Sequence, residues 1–229
     1  MSVVAVIPAR GGSKGLPRKN LARVGDRPLL VHSIDHAHAA TRVDRVIVST
    51  EDAEIADVAR RAGAEVIERP VELATDQATS ESALVHALDQ LEQTTGTPVL
   101  MVFLQATSPL RPPGAIDAAI ATLEEQDADS LVSTVPFHGF LWRDRSPKDD
   151  SSIGARPIDY DPRRRPRRQE RLPTYVENGS IYVFKPWVLR ELDCRLGGKI
   201  ALFPMSKTSA IDIDDADDLT LANALLDAV

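Results

Sequence analysis

The sequence contains one cysteine, Cys194, in 229 residues, and aromatic residues account for only 4% of the chain. A single thiol cannot form an internal disulfide or a cysteine-based zinc site, so stability and chemistry must come from other residues. The chain also lacks any run of about 18 apolar residues, which argues against a membrane partner. Because no basic and apolar leader precedes the first apolar run, we expect a cytoplasmic protein.

Negative charge predominates, with 34 acidic and 27 basic residues and a formal net charge of −7. This balance argues against nucleic acid as a partner. Basic residues are nevertheless concentrated in the segment VVAVIPARGGSKGLPRKN, where a glycine-rich turn carries Arg10, Lys14, Arg18 and Lys19. The turn is therefore the first candidate for an anion-binding site.

Short apolar runs alternate with segments of helical periodicity along most of the chain. This order predicts an α/β fold with a mostly parallel sheet and helices on both faces. The predicted strands are 3–8, 45–49, 65–68, 99–104, 130–135, 180–184 and 210–214. The predicted helices are 29–40, 51–63, 80–93, 113–125 and 217–228. We expect Thr50 and Gly63 at the two ends of the second helix and a capping box of Asp215 and Asp218 at the last.

The pattern breaks between residues 136 and 177, where prolines and charges are frequent and periodicity is weak. So long an irregular segment inside a domain is usually functional, disordered or an interaction arm. We therefore predict one α/β domain formed by 1–135 and 178–229, with an inserted arm at 136–177. The arm includes an arginine cluster from Arg163 to Arg171.

The glycine-rich turn follows the first predicted strand directly. Ligands of open α/β sheets bind beyond the carboxyl ends of the strands, and this turn belongs at that edge. Glycines let backbone N–H groups approach an anion, and nearby cations neutralise it, so a triphosphate fits. The P-loop and dinucleotide patterns are both missing, which counts against those two classes of enzyme. The alternative is a solvated basic turn.

The sequence IDID at 211–214 places two carboxylates two residues apart. On a strand, Asp212 and Asp214 would point to one face, where two carboxylates together with waters and substrate phosphates suit Mg²⁺. The alternative is that the acidic run caps a helix, and we assign that role to Asp215, Asp217 and Asp218. The pair at 212 and 214 is the candidate metal site.

The segment LQATSPLR follows another predicted buried strand. Gln105 and Thr107 should therefore emerge at the ligand edge, where polar side chains can read a base. The alternative is ordinary turn chemistry around Pro109. An acidic substrate would also need a fixed cation, preferably arginine, and the arm supplies many, although a solvated charge run is an equally good interpretation of any single one.

The segment IPARGGSKGLPRKN resembles the signature of the CMP-N-acylneuraminate cytidylyltransferases. Further blocks similar to the family follow in the family's order: VIVSTEDAEIADVARRAGAEVIERPVELATDQATS, LQATSPLR, ENGSIYVF and AIDIDDADDL. The resemblance covers nearly the whole chain. It implies a Rossmann-like fold and an Mg²⁺-dependent enzyme that joins CTP to a nine-carbon 2-keto acid sugar, giving a CMP-sugar and pyrophosphate.

The resemblance also implies roles for individual residues. The implied nucleotide-binding residues are Arg10, Gly11, Lys14, Lys19, Asn20, Arg69, Ser80 and Gln105. Ser82 is the alternative to Ser80, and Arg69 could instead belong to an ordinary loop after a strand. Among them Arg10 and Lys19 act on the triphosphate during catalysis. Asp212 and Asp214 hold the metal, and Asp214 also acts on the attacking hydroxyl.

For the sugar, the resemblance implies that the arm mediates a homodimer and carries basic residues into the neighbouring subunit's site. Arg143 and Arg168 fall near the matching positions, and Gln105 and Asn178 complete the expected substrate-binding set. The spacing around the arginine cluster departs from the commoner family form. The choice among Arg167, Arg168 and Arg171 is therefore open.

Two alternatives stand beside this interpretation. The nearer is a sister enzyme for legionaminic, pseudaminic or 3-deoxy-octulosonic acid, or one that uses another nucleotide, because fold analogy cannot settle the substrate. The other is a non-catalytic nucleotide-binding regulator. The presence of Arg10, Lys19, Asp212 and Asp214 speaks against the regulator.

Overall fold

The computed structural model describes residues 2–13, 15–144 and 154–226 of the chain. It divides into two compact units, one formed by 1–135 with 177–229 and the other by 136–176. Within the described residues, no helix combines the length and apolarity needed to cross a membrane.

Eleven strands are present in the described residues. They are β1 Val3–Pro8, β2 Arg23–Val24, β3 Arg27–Pro28, β4 Arg45–Thr50, β5 Glu65–Glu68, β6 Leu100–Leu104, β7 Ser130–Phe137, β8 Trp142–Arg143, β9 Arg156–Pro157, β10 Thr174–Phe184 and β11 Ile200–Pro204. Seven of them form one sheet in the order β11-β7-β10-β6-β1-β4-β5. Pairs β1–β4, β1–β6, β4–β5 and β7–β11 are parallel, whereas β10 runs antiparallel to β6.

Six α-helices are present in the described residues. They are α1 Leu29–Ala39, α2 Ala53–Arg61, α3 Ser80–Thr94, α4 Ala115–Glu125, α5 Pro186–Leu192 and α6 Ala216–Leu226. The central strand β1 shows why both faces are covered, because its buried side chains alternate between two clusters. Ala5 and Ile7 pack in a cluster with residues of α1, α2 and α4. Val4 and Val6 pack on the opposite face with residues of α3 and α5. The predicted α/β class is confirmed.

Helix termini follow from local sequence. The α2 N-cap is Asp52, whose Oδ1 accepts a hydrogen bond of 3.0 Å from the backbone N–H of Ile55, so the expected cap at Thr50 is wrong. Gly63 follows α2 with φ +87°, a conformation that glycine adopts without strain. At α6, Asp215 Oδ1 accepts from the Asp218 N–H and Asp218 Oδ2 accepts from the Asp215 N–H. The predicted capping box is confirmed.

The predicted strand at 210–214 is wrong. A short 3₁₀ turn, Lys207–Ala210, is followed by a segment at 211–214 that joins no sheet. Ile213 is buried with Val24, Leu29 and Ala222, and its N–H donates to the carbonyl of Thr107 at 2.9 Å. Packing beneath α6 therefore accounts for the apolar half of the IDID alternation. The strand that completes the sheet edge is β11, which pairs with β7 and which the sequence pattern did not reveal.

The second unit contains a small antiparallel pair, β8–β9, and a cluster of cations on aromatic rings. The guanidinium groups of Arg165 and Arg171 lie 4.2 and 4.5 Å from the centroid of the Phe140 ring. The same ring packs against Tyr160 at 4.5 Å. Cation–π and ring contacts thus organise a segment that has few aliphatic core residues.

Candidate active site

A cavity of about 370 Å³ opens at the carboxyl ends of β1 and β6 in the first unit. Open α/β sheets bind ligands at this edge. Its lining comes from the turn after β1, from residues between 69 and 80, from the loop after β6 and from the segment at 211–214. The predicted site residues on this lining are Arg10, Lys19, Asn20, Arg69, Ser80, Gln105, Asp212 and Asp214. Residues distant in sequence are therefore brought together as one polar cavity.

The backbone of the glycine-rich turn is held by two side chains. The N–H of Gly11 donates to Glu51 Oε1 at 2.7 Å, and Glu51 Oε2 accepts from Arg69 Nη2 at 3.0 Å. Asn20 Nδ2 donates to the carbonyl of Arg10 at 2.9 Å. Gly11 itself does not line the cavity, and its N–H is already used by Glu51. Glu51 thus ties the turn to Arg69, whose side chain is only 5% exposed.

Arg10 and Lys19, two cations that line the cavity, each face a carboxylate. Arg10 Nη1 lies 3.1 Å from Asp76 Oδ1 and donates to the carbonyl of Thr75 at 3.0 Å. Lys19 Nζ lies 2.8 Å from Asp214 Oδ1. The positive charge of the site is therefore balanced within the protein, and an anionic ligand would have to replace these carboxylates.

Arg18 differs from the other basic residues of the turn. Its guanidinium pairs with Asp52 and with Glu54, each at 2.5 Å, and it does not line the cavity. The Asp52 carboxylate raises the pKa of Arg18, and Arg18 lowers the pKa of Asp52. Arg18 therefore fastens the turn to the start of α2, so the four cations of the turn do not act as one group. Lys14 lies outside the described residues.

Asp212 and Asp214 both line the cavity although they are not on a strand. Asp212 Oδ1 is buried and has no hydrogen-bond partner among the described residues. Burial raises the pKa of Asp212, and a hydrogen bond with the Thr107 side chain opposes that shift. The described parts of the chain contain no cluster of three or more acidic, histidine or cysteine side chains suited to a metal. An orphaned carboxylate oxygen beside a second carboxylate fits Mg²⁺, which keeps waters and substrate phosphates as its other ligands.

Gln105 lies at the end of β6, and its Oε1 is buried without a partner in the described residues. A Cβ atom on Gly179 would overlap this oxygen, and Gly179 has φ +68°. Gly179 is therefore suited to its position in two ways, by its backbone conformation and by the room it leaves for Gln105. On the other wall, Ser80 begins α3, where Thr79 Oγ1 caps the helix by accepting from the Ser82 N–H.

Asn178, predicted to bind substrate, does not line the cavity. Its Oδ1 accepts from Ser133 Oγ at 2.6 Å, and its Nδ2 donates to the carbonyl of Ser209 at 3.0 Å. Only 7% of the residue is exposed. In this structure its amide joins β7, β10 and the turn before residue 211.

Arg143 and Arg168, the other predicted sugar-binding residues, belong to the second unit. Arg143 lies on β8, opposite Arg156 of β9 in the register of the antiparallel pair. Arg168 Nη2 lies 2.6 Å from His138 Nε2. Arg171, left open as an alternative, donates to the carbonyl of Gly139 at 2.9 Å and pairs with Asp159. Within the unit, Arg171 is more firmly fixed than Arg168.

Sequence reasoning missed Glu51, Asp76 and Arg111. Glu51 follows β4 immediately, so its place at the ligand edge was available from the sequence pattern. Asp76 is in a loop whose approach to Arg10 no local pattern indicates. Arg111 is buried, and this burial lowers its pKa to about 9, which leaves it protonated at neutral pH.

The fold and the cavity together define a Rossmann-like α/β protein with a cationic, carboxylate-bearing ligand edge. Residues 4–146 match the family described as Cytidylyltransferase. The chain therefore belongs to the cytidylyltransferase family, and the resemblance seen in the sequence is confirmed.

Curated relatives agree with this assignment. The chain is 32% identical over 213 residues to the N-acylneuraminate cytidylyltransferase of Oncorhynchus mykiss. This alignment covers 93% of the present chain and 47% of the relative. It is 34% identical over 223 residues to the enzyme of the same name from Streptococcus agalactiae serotype V. That alignment covers 95% of the present chain and 52% of the relative. The chain thus spans about half the length of the curated relatives it matches.

A solved structure shares the fold. CMP:2-keto-3-deoxy-manno-octonic acid synthetase, solved in complex with CTP, superposes with a TM-score of 0.74. The match covers 100% of this chain and 99% of that one at 19% identity. At this identity the likeness establishes the architecture and leaves the substrate to other arguments.

Proposed function

We propose that the protein couples CTP to the anomeric hydroxyl of a nine-carbon 2-keto acid sugar of the N-acylneuraminate type, giving a CMP-sugar and pyrophosphate. The observation that carries the proposal is the cavity at the ends of β1 and β6, where Arg10, Lys19 and Arg69 lie beside Asp212 and Asp214. Cations there suit a triphosphate, and paired carboxylates suit the metal that accompanies it. The names of the curated relatives support the choice of sugar.

The reaction is a direct displacement at phosphorus. The sugar hydroxyl attacks the α-phosphorus of CTP, the new phosphorus–oxygen bond forms, and the bond to the β-phosphate breaks to release pyrophosphate. Arg10 and Lys19 hold the outer phosphates and stabilise the charge that develops on the leaving group. Asp214 accepts the proton of the attacking hydroxyl. No side chain is needed as a covalent nucleophile.

We further propose that Asp212 and Asp214 hold Mg²⁺ when CTP is bound. The orphaned Oδ1 of Asp212 and the position of Asp214 on the same cavity wall support this assignment. The ion would neutralise phosphate charge and orient the α-phosphate. With Asp214 engaged by the ion, Lys19 would be available to contact the phosphates.

The arm is proposed to make the protein a homodimer with shared sites. Its arginines, among them Arg143 and Arg168, are candidates for the fork that a sugar carboxylate requires. In a two-fold dimer each arm can complete the other subunit's site. A heterodimer of Asp214→Ala and Arg168→Ala subunits, purified through different tags, would then regain one intact site. An inactive heterodimer whose parents still dimerise and bind CTP would contradict this assignment.

A pyrophosphate-release screen tests the function directly. Purified protein with Mg²⁺ is given each of four nucleoside triphosphates with a panel of eight- and nine-carbon keto acid sugars. CTP with an N-acylneuraminate should give the highest kcat/KM. A higher value with another acid sugar or nucleotide would identify a sister enzyme, and no release with any pair would favour the non-catalytic regulator.

A cytoplasmic location accords with the single, unpaired cysteine.

A further inference from the structure

Arg111 is a buried cation outside the cavity lining. The residue is 4% exposed, and its hydrogen bonds in the described residues all go to neutral oxygen atoms. Nη1 donates to Ser33 Oγ at 2.8 Å and to the carbonyl of Ser108 at 2.7 Å. Nη2 donates to the carbonyls of Gln105 at 2.5 Å and Ser180 at 2.8 Å, and Nε donates to Ser180 at 3.1 Å. A buried charge held this way is costly unless all its donors are used.

The acceptors come from three separate parts of the fold. Ser33 lies on α1, Ser180 lies on β10, and Gln105 and Ser108 lie in the loop after β6. Ser33 Oγ also donates to the carbonyl of Gln105 at 3.1 Å, which closes the network. Only the planar fork of a guanidinium presents donors in these directions together, so a lysine could not replace it.

The loop at 105–108 carries groups that face the cavity. Gln105 and Thr107 both line it. Thr107 additionally accepts the N–H of Ile213 through its carbonyl at 2.9 Å and hydrogen-bonds Asp212 through its side chain. The position of this loop therefore determines where Gln105 and the metal-site carboxylate lie.

We propose that Arg111 is a positioning residue of the active site, whose buried guanidinium fixes the loop at 105–108 so that Gln105 and Thr107 meet the nucleotide in one arrangement. The part of this proposal that concerns CTP rests on the proposed function. The part that concerns the order of the loop does not, so the two can fail separately.

The test compares Arg111→Met, Arg111→Lys and Leu91→Ala. Leu91 is buried in α3 at 1% exposure and does not line the cavity, so its truncation lowers stability without touching the loop. Amide hydrogen exchange of residues 104–110 and CTP affinity by calorimetry are measured in each protein. Arg111→Met should speed exchange of the loop by about tenfold and weaken CTP by about tenfold to 100-fold, the loss expected when polar contacts to a ligand are left unmade. Arg111→Lys should behave like Arg111→Met, because the fork rather than the charge fixes the loop.

Ser33→Ala provides a milder variant in case the arginine variants do not fold. Ser33 is fully buried, and its loss removes one acceptor of Arg111 and one donor to Gln105 while leaving the guanidinium in place. Faster exchange in the loop and a several-fold weaker CTP affinity are expected, with exchange in α3 unchanged.

Unchanged exchange in the loop of the Arg111 or Ser33 variants would overturn the proposal, whatever happens to CTP. So would an equal loss of CTP affinity in Leu91→Ala at equal stability, since Arg111 would then act through stability alone. If the wild-type protein binds no CTP, the proposed function fails, and the exchange data still decide whether Arg111 orders the loop.

Discussion

Lys19 Nζ lies 2.8 Å from Asp214 Oδ1, joining the first turn of the chain to a segment near its other end. The lysine side chain is 15% exposed and the aspartate side chain 75% exposed. The two backbones also lie close together here, because a Cβ on Gly15 would overlap the carbonyl oxygen of Asp214. In this arrangement the candidate phosphate cation and the candidate metal carboxylate neutralise each other. A triphosphate with its metal would satisfy both at once, which predicts that the two ligands bind cooperatively.

Asp214→Asn should abolish turnover while leaving the fold intact. The substitution removes the charge needed for Mg²⁺ and for the proton of the attacking hydroxyl, yet it preserves the size of a side chain that is mostly exposed. Pyrophosphate release and circular dichroism provide the two readouts. Near-normal release at saturating Mg²⁺ would contradict the metal assignment.

Lys19→Ala should weaken CTP far more than CMP, because the ammonium group is assigned to the outer phosphates. We expect a loss of about tenfold or more for CTP, in line with about 1.5–3 kcal/mol for a charged hydrogen bond. Calorimetric titration of both nucleotides measures the ratio. Arg18→Ala is the matched control from the same turn, because the Arg18 guanidinium is engaged by Asp52 and Glu54. This variant should leave the ratio of CTP affinity to CMP affinity unchanged. Equal losses for both nucleotides in Lys19→Ala would remove Lys19 from the outer phosphates.

The sequence was sufficient to predict the strands whose burial is determined by their own composition. β1 has the predicted bounds, and β4 and β6 differ from theirs by one residue each, because apolar runs flanked by turn residues leave little choice of register. The segment at 211–214 shows the limit. Its alternation of Ile and Asp satisfies a strand pattern, but Ile213 is buried by packing beneath α6, and pairing with a sheet depends on residues that local sequence does not contain.

The candidate site divides in the same way. The place of Arg10 and Lys19 at the ligand edge could be predicted, because their type and their position after a strand are both local features. Their partners could not, since Asp76 meets Arg10 and Asp214 meets Lys19 through tertiary structure. Asn178 shows the reverse case, in which a polar residue in a family-like motif is used inside the fold by Ser133 and Ser209.

Gly179→Ala should reduce activity beyond its effect on stability. The new methyl group would overlap Gln105 Oε1, and the positive φ of +68° adds strain of about 1–2 kcal/mol. Gly114→Ala is the matched control, because Gly114 has φ +74° and no atom within 4 Å of the added methyl group. Both variants should lose similar stability, measured by urea unfolding, but only Gly179→Ala should weaken CTP. The same affinity in both variants would show that Gln105 does not depend on the room left by Gly179.

The free energy of unfolding should decrease as the pH falls, because the folded protein binds a proton at His36 less readily than the unfolded chain does. Burial lowers the pKa of His36 to about 4, and the nearby charges of Arg111 and His32 act in the same direction, whereas Asp35 opposes them. An unfolded chain binds this proton near pH 6.5, so between about pH 6.5 and pH 4 the unfolded state holds more protons and stability declines with acid. The full effect of the shift is about 3 kcal/mol at 1.36 kcal/mol per pKa unit. Urea unfolding across this range should show a flatter acid limb for His36→Gln than for the wild type. Parallel curves for the wild type and His36→Gln would show that another group governs acid stability.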